Sequence, residues 1–282
     1  MKYYVLFNPL SANGNGKQKV NELQSKLPDA ELEYVDMTQL DGVHGWITEI
    51  PADATVILCG GDGTINCFVN ALRGVEITQK ILYYPCGSGN DFAREVQREG
   101  DFIELNEYIE NLPVATVKGK EWLFINGIGF GIDGYCCEEG DRIRAATPNK
   151  KIDYTAIAIK GLLFRYKPTN ATVIVDGETY EFKKVWIAPT MKGLYYGGGI
   201  NPAPAQDRKD PDGKVSLTLF YGTNRLKTLM IFPNLFKGTH VKYTKCIKIM
   251  TGKEITVKFD EPRALQVDGE TVLGVTEYTI KV

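Results

Sequence analysis

Thr55-Val56-Ile57-Leu58-Cys59-Gly60-Gly61-Asp62-Gly63-Thr64-Ile65-Asn66 decides how this chain folds. Its first four residues form an apolar run, which reads as a buried parallel strand. Beyond the glycines, Ile65, Phe68, Val69, Ala71 and Leu72 recur at helical spacing. The glycines therefore occupy a strand-to-helix turn, where backbone can approach a ligand closely. The first helical N–H groups, near Gly63 and Thr64, lack intrahelical partners and attract anions. Asp62 is out of place in an anion cradle. A carboxylate there makes sense if a divalent cation bridges it to the anion, or if it handles a proton. The plainer alternative is a structural turn in which Asp62 caps a helix.

The same grammar recurs on both sides. Lys2 to Phe7 reads as a strand running into Asn8-Pro9-Leu10-Ser11-Ala12-Asn13-Gly14-Asn15-Gly16-Lys17, and then a helix carrying Val20, Leu23 and Leu27 on one face. This loop lacks Walker A spacing. Leu32 to Val35 is a second strand, ending near Thr38, and Val43 to Ile50 a short helix. Lys80 to Tyr84 is a fourth strand, leading into Pro85-Cys86-Gly87-Ser88-Gly89-Asn90-Asp91-Phe92-Ala93-Arg94. Strands alternating with helices predict a parallel, Rossmann-like α/β sheet. Loops leaving the carboxyl ends of its strands converge on one crevice.

After about residue 115 the pattern changes. Trp122–Ile125, Ala171–Val175, Tyr180–Ile187, Val215–Tyr221, Cys246–Met250, Ile255–Phe259 and Leu265–Val267 read as strands, with helical patches over Tyr154–Phe164 and Leu226–Phe236. The expectation is an α/β domain over 1–115 and a mostly antiparallel β-sandwich over 116–282, with the option that the last strand returns to the first domain. Asp-Gly-Glu-Thr occurs twice, at Asp176–Thr179 and Asp268–Thr271, both as hairpin turns with an exposed glutamate. Pattern alone does not choose between Glu178 and Glu270. The acidic stretch Asp207–Gly213 suggests an EF-hand start, but Pro211 interrupts it and Leu219 falls where the bidentate glutamate belongs.

Across 282 residues the net charge is −2, so no global field recruits nucleic acid. No apolar run reaches the ~18 residues that span a bilayer. The N-terminus is too short and strand-like for a signal peptide, which predicts a cytoplasmic protein. The two histidines, His44 and His240, are unaccompanied, which argues against a His-dependent triad.

Three motifs in this order, Asn8-Pro9 with its Ser/Gly loop, Gly60–Asn66 and Gly87–Arg94, resemble the diacylglycerol kinase catalytic-domain family, which includes bacterial lipid kinases and sphingosine kinases. Gly197–Ala203, Lys209–Lys214 and Leu265–Glu270 agree with it, so the resemblance spans nearly the whole chain. It implies an ATP- and Mg²⁺-dependent lipid kinase acting on diacylglycerol or a related lipid alcohol, with the nucleotide held between the two domains. Asn8, Pro9 and Ser11 would line the first phosphate loop, with Thr38 near the nucleotide. Gly61, Asp62, Gly63, Thr64 and Asn66 would cradle the phosphates, with Ser88 and Asn90 in the next loop. Asp212 would belong to a structural Mg²⁺ site, with carbonyl ligands from Lys209 and Lys214. Glu270 would be the general base and Asp62 the anchor of the catalytic Mg²⁺. A lipid substrate implies visits to a membrane surface, for which Arg142, Arg144, Lys150, Lys151, Arg165, Tyr166 and Lys167 are candidates. A homodimer stays open. Cys67 stands where the family usually has glutamate. NAD kinases share the Gly-Gly-Asp-Gly motif, so an NAD kinase is one alternative and a nucleotide-binding regulator another.

Overall fold

The computed structural model describes residues 1–9, 11, 16–87, 89–96, 99–147 and 152–282, which form two compact units, Met1–Leu112 and Pro113–Val282. In the first, β1 (Lys2–Phe7), β2 (Glu31–Asp36), β3 (Thr55–Gly60), β4 (Lys80–Pro85) and β5 (Ile103–Glu104) build one sheet in the order β2-β1-β3-β4-β5. The first four strands are parallel, and β5 adds an antiparallel edge that the sequence pattern did not announce. Val5, Leu6, Ile57 and Leu58 are fully buried, as an apolar run between two flanking strands requires. Helices α1 (Gly16–Asn21), α2 (Val43–Glu49), α3 (Asp62–Ala71) and α4 (Asp91–Val96) intervene. The chain order reverses between β1 and β3, so the crevice outside their carboxyl ends is the switch point of the sheet.

The second unit is antiparallel. Strands β6 (Val114–Val117), β7 (Lys120–Leu123), β8 (Gly127–Gly131), β9 (Thr169–Val175), β10 (Glu178–Val185), β11 (Ile187–Met191), β12 (Val215–Phe220), β13 (Ile247–Gly252), β14 (Glu254–Val267) and β15 (Glu270–Lys281) form a ten-stranded sheet. Its main path is β13-β12-β11-β8-β14-β15-β6-β7, and β9 joins β14 and β10. The two short strands expected at Ile255–Phe259 and Leu265–Val267 are one long strand. Its first half pairs with β9 and its second with β8, and the register shifts between Lys258 and Leu265. That bulge lets one strand bend across the core, where Phe130 stacks on Phe259 at 4.5 Å. The last strand does not return to the first unit: β15 pairs with β14 and β6.

Between the strands lie α5 (Ile132–Ala146), α6 (Tyr154–Lys160), a π-turn over Gly161–Arg165, and α7 (Arg225–Ile231). No helix among the described residues is long and apolar enough to cross a membrane.

Candidate functional site

In the first unit, the turns after β3 and β4 interlock backbone to backbone. A Cβ on Gly87 would sit 2.4 Å from the Gly61 Cα, so a side chain there would push the turns apart. The Gly60 carbonyl accepts the amides of Cys86 (2.9 Å) and Gly87 (3.1 Å) and the Tyr83 hydroxyl (3.0 Å). Asp62 closes the junction. Its Oδ2 accepts the Asp91 amide at 2.9 Å and its Oδ1 accepts the Phe92 amide at 2.8 Å. The carboxylate thus caps α4, a helix in the following turn, rather than its own. A carboxylate is the kind of ligand a nucleotide-borne cation takes, although the geometry here is that of a strut between two turns.

The other residues expected here divide into two groups. Thr64 and Asn66 face inward, at 4% and 2% exposure. The Thr64 side chain fills the space above Gly60, and its amide, like that of Ile65, donates to the Gly61 carbonyl. Of the two amides singled out from sequence, that of Thr64 is therefore already taken. Asn66 accepts from Asn70 Nδ2 through its own carbonyl (2.9 Å). Thr38 lies at the carboxyl edge beside β1, exposed, with its hydroxyl donating to Asp36 Oδ1 (2.7 Å). Its neighbour Met37 donates to the Phe7 carbonyl, which places Thr38 next to the loop that begins at Asn8.

Asn8 and Pro9 are half-buried, and Ser11 donates its amide to the Asn8 carbonyl (3.0 Å). Gly16 packs so closely that a Cβ would lie 2.4 Å from that carbonyl. Asn90 adopts a left-handed backbone (φ 51°) and donates Nδ2 to the Gly87 carbonyl, while its buried Oδ1 has no partner among the described residues. It lines an open cavity of about 370 Å³ with Tyr84, Pro85, Gly89, Ala93, Arg94 and Asp101. Ser88 lies outside the described residues, as do Lys150 and Lys151.

In the second unit the two Asp-Gly-Glu-Thr segments form the same backbone. Asp176-Gly177 (φ 48° and 88°) joins β9 to β10, and Asp268-Gly269 (φ 46° and 93°) joins β14 to β15, each a type I′ turn. Their surroundings differ. Asp176 is exposed and accepts the amides of Lys253 and Glu254. Asp268 is buried and accepts three, from Ile125 (2.6 Å), Asn126 and Gly127 (2.9 Å each). Buried Arg208 ties the same segment down, donating to the Ile125 carbonyl and to Asn126 Oδ1. Glu178 takes the Tyr180 hydroxyl at 2.5 Å. Glu270 is exposed, and its carboxylate has no hydrogen bond or ion pair among the described residues.

Beneath the second hairpin lies a group missed from the sequence. Asp133, in the first turn of α5, is only 8% exposed, and neither carboxylate oxygen closes a hydrogen bond among the described residues. Burial pushes its pKa up from the usual carboxylate range to about 7, against the pull of the Gly134 amide. Tyr196 and Gln266 face it without completing a bond, and the Tyr196 Oη and Gln266 Nε2 are themselves buried without partners among the described residues. Gln266 Oε1 accepts the Gly269 amide (3.0 Å), which links this cluster to the turn. An acid in the first helical turn after the Gly-apolar run 127–132 was the available signal.

The Asp212 loop has a different character from the one expected. Its carboxylate is held by Lys214 Nζ at 2.8 Å and Lys253 Nζ at 3.3 Å, and these two ammonium groups lower its pKa. The Lys214 carbonyl accepts from Gln206 Nε2 (3.0 Å). Among the described residues no group of three or more His, Cys, Asp or Glu is arranged to hold a metal ion. As placed here, the Asp212 carboxylate is the ion-pair partner of two lysines. Two of the basic candidates also change meaning: Arg142 pairs with Glu139 and Arg144 with Asp141, each at close range on α5. Tyr166 is buried.

The first unit is thus a parallel α/β sheet with interlocked glycine turns, and the second an antiparallel sheet that presents a pinned acidic hairpin. The chain belongs to the diacylglycerol kinase catalytic-domain family: residues 2–118 match the diacylglycerol kinase catalytic domain, and residues 126–282 the YegS C-terminal NAD kinase beta sandwich-like domain. It is 26% identical over 254 residues to a diacylglycerol kinase of Mycobacterium tuberculosis (strain ATCC 25618 / H37Rv), covering 86% of this chain and 80% of that one. It is 21% identical to YtlR of Bacillus subtilis (strain 168), named as a candidate lipid kinase, over 99% of this chain and 96% of that one. A solved structure from Bacillus anthracis str. Sterne, described as a candidate diacylglycerol kinase, shares the fold with a TM-score of 0.69 at 20% identity, covering 99% of this chain and 91% of that one.

Proposed function

We propose that the chain transfers the γ-phosphate of ATP to the hydroxyl of diacylglycerol or a related lipid alcohol. The observation that carries this reading is the pair of states at the second hairpin. Glu270 is an uncommitted carboxylate, on a turn that Asp268 holds with three amides. A general base needs that combination of free lone pairs and restricted position.

Phosphoryl transfer passes through a loose transition state, so positioning and charge neutralisation supply most of the catalysis. The first unit supplies the phosphate-binding turns, with Asn8, Pro9 and Ser11 in one loop and Gly61, Gly63 and Asn90 in the others. Mg²⁺ bound to ATP would neutralise charge on the phosphates, and the Asp62 carboxylate is the hard oxygen ligand these turns would bring to it. Asp62 also keeps the two turns in register. Thr64 and Asn66 support the turn from inside. In the second unit Glu270 accepts the proton of the attacking lipid hydroxyl. The domain limits 1–115 and 116–282 are part of this proposal.

Radiolabelled ATP offered with a panel of lipid alcohols and with NAD tests it. Label on a lipid is the expected result. Label on NAD would make the chain an NAD kinase, and nucleotide binding without transfer would make it a regulator.

A further inference from the structure

Two segments of the second unit contain no acidic residue, Tyr154 to Val175 and Gly213 to Lys253, in a chain whose net charge is −2. The fold brings them together. The π-turn Gly161–Arg165 packs on α7, and Arg225 of α7 donates to the Leu162 carbonyl at 2.7 Å. On these two touching elements sit the most exposed large apolar side chains of the unit: Phe164 at 75%, Leu226 at 70% and Met230 at 75%. Leu226 and Met230 are four residues apart and so share one face of α7, opposite the buried Thr228 and Ile231. Lys160, Arg165 and Lys227 flank them, exposed and without an ion pair among the described residues.

Leaving such side chains in water has no folding benefit, because the core beneath them is already closed by Leu162, Ile231 and Leu235. Large apolar residues ringed only by cations match one kind of surface, an apolar layer beneath anionic headgroups. On the neighbouring helix α5, Glu139 and Asp141 are paired with their own arginines, which leaves Glu138 as its one exposed acid without an ion pair among the described residues. We propose that Phe164, Leu226 and Met230, with Lys160, Arg165 and Lys227, form the face on which this chain docks to an anionic bilayer. The inference rests on the lipid-kinase reading for its purpose, but not for its physics.

Co-sedimentation of the full chain with phosphatidylcholine vesicles, with and without phosphatidylglycerol, tests it. Binding is expected to need phosphatidylglycerol and to weaken with salt. Replacing all three apolar residues (Phe164→Ser, Leu226→Ser, Met230→Ser) should cut vesicle affinity at least about tenfold, given transfer energies of roughly 25 cal/mol per Å² of apolar surface. The separate variant Lys160→Gln, Arg165→Gln, Lys227→Gln should remove the preference for phosphatidylglycerol, at about fivefold per cation. Both variants should phosphorylate a short-chain diacylglycerol in solution at the wild-type rate. Wild-type protein that ignores phosphatidylglycerol, or variants that bind vesicles as the wild type does, would overturn the proposal. Vesicle binding lost in the variants of a chain that phosphorylates no lipid would leave the docking face standing and remove the kinase reading instead.

Discussion

The two Asp-Gly-Glu-Thr hairpins are a controlled comparison within one molecule. Sequence, turn type and strand register are the same, with Val175 opposite Glu178 and Val267 opposite Glu270. The first hairpin lies at the surface, where its aspartate ties two exposed amides and its glutamate is engaged by Tyr180. In the second, the aspartate is buried under three amides and the glutamate is left open. The difference teaches that what makes Glu270 the candidate base is what has been withheld from it and what holds its neighbours. The four residues themselves do not define it.

Activity is where the hairpins should part most. Glu270→Gln is expected to lower ATP-dependent lipid phosphorylation by about 10²–10⁴-fold, the usual worth of a general base, and Glu178→Gln to leave it unchanged. Equal rates for the two variants would break the comparison.

The next effect concerns the acid beneath the second hairpin. Folded Asp133 holds its proton up to about pH 7, whereas an unfolded aspartate releases it near 3.8. Stability from this group is therefore full at low pH and erodes as pH rises through that window. Asp133→Asn abolishes the titration, so between pH 5 and pH 8 the wild type should lose roughly 3 kcal/mol that the variant keeps. Thermal melts at the two pH values measure it, and parallel shifts would show that Asp133 is not held protonated.

Third, Asp268→Asn should cost about 2–3 kcal/mol of stability, because a charged acceptor for three amides becomes a neutral one. Asparagine tolerates the left-handed backbone, so strain does not confuse the result. Asp176→Asn, on the exposed twin, should cost visibly less in the same urea titration. The smallest expected effect is a sharpening control. Tyr180→Phe frees Glu178, and added to Glu270→Gln it should restore no activity.

Much of the first unit was legible. An apolar run that breaks at glycine admits one reading, so β1 to β4 and the three loops at their carboxyl ends follow from sequence, although β5 does not. The second unit was harder. Asp260-Glu261-Pro262 looks like a loop, but it is the bend of a continuous strand, because a bulge accommodates proline and charge where the ladder is interrupted. Helix α5 was missed because Gly127, Gly129, Gly131 and Gly134 imitate a turn. Those glycines answer to close packing: a Cβ on Gly134 would meet the Ala264 carbonyl at 2.1 Å. The partners of Asp62 lie 29 and 30 residues away, and no local pattern reports such a distance. One clue was local and went unread. Tyr180 follows Glu178 by two residues, hence on the same strand face, which already marked that glutamate as occupied.

Asp62 also sets a rule for anyone rebuilding this protein. Its carboxylate belongs to one glycine turn by covalent bonds and to the other by hydrogen bonds, and Gly61 and Gly87 leave no slack between them. Grafting either turn alone from a relative would deliver half of a joint. Chimeras should exchange residues 60–92 as a single cassette, and libraries that randomise one turn should carry the other along.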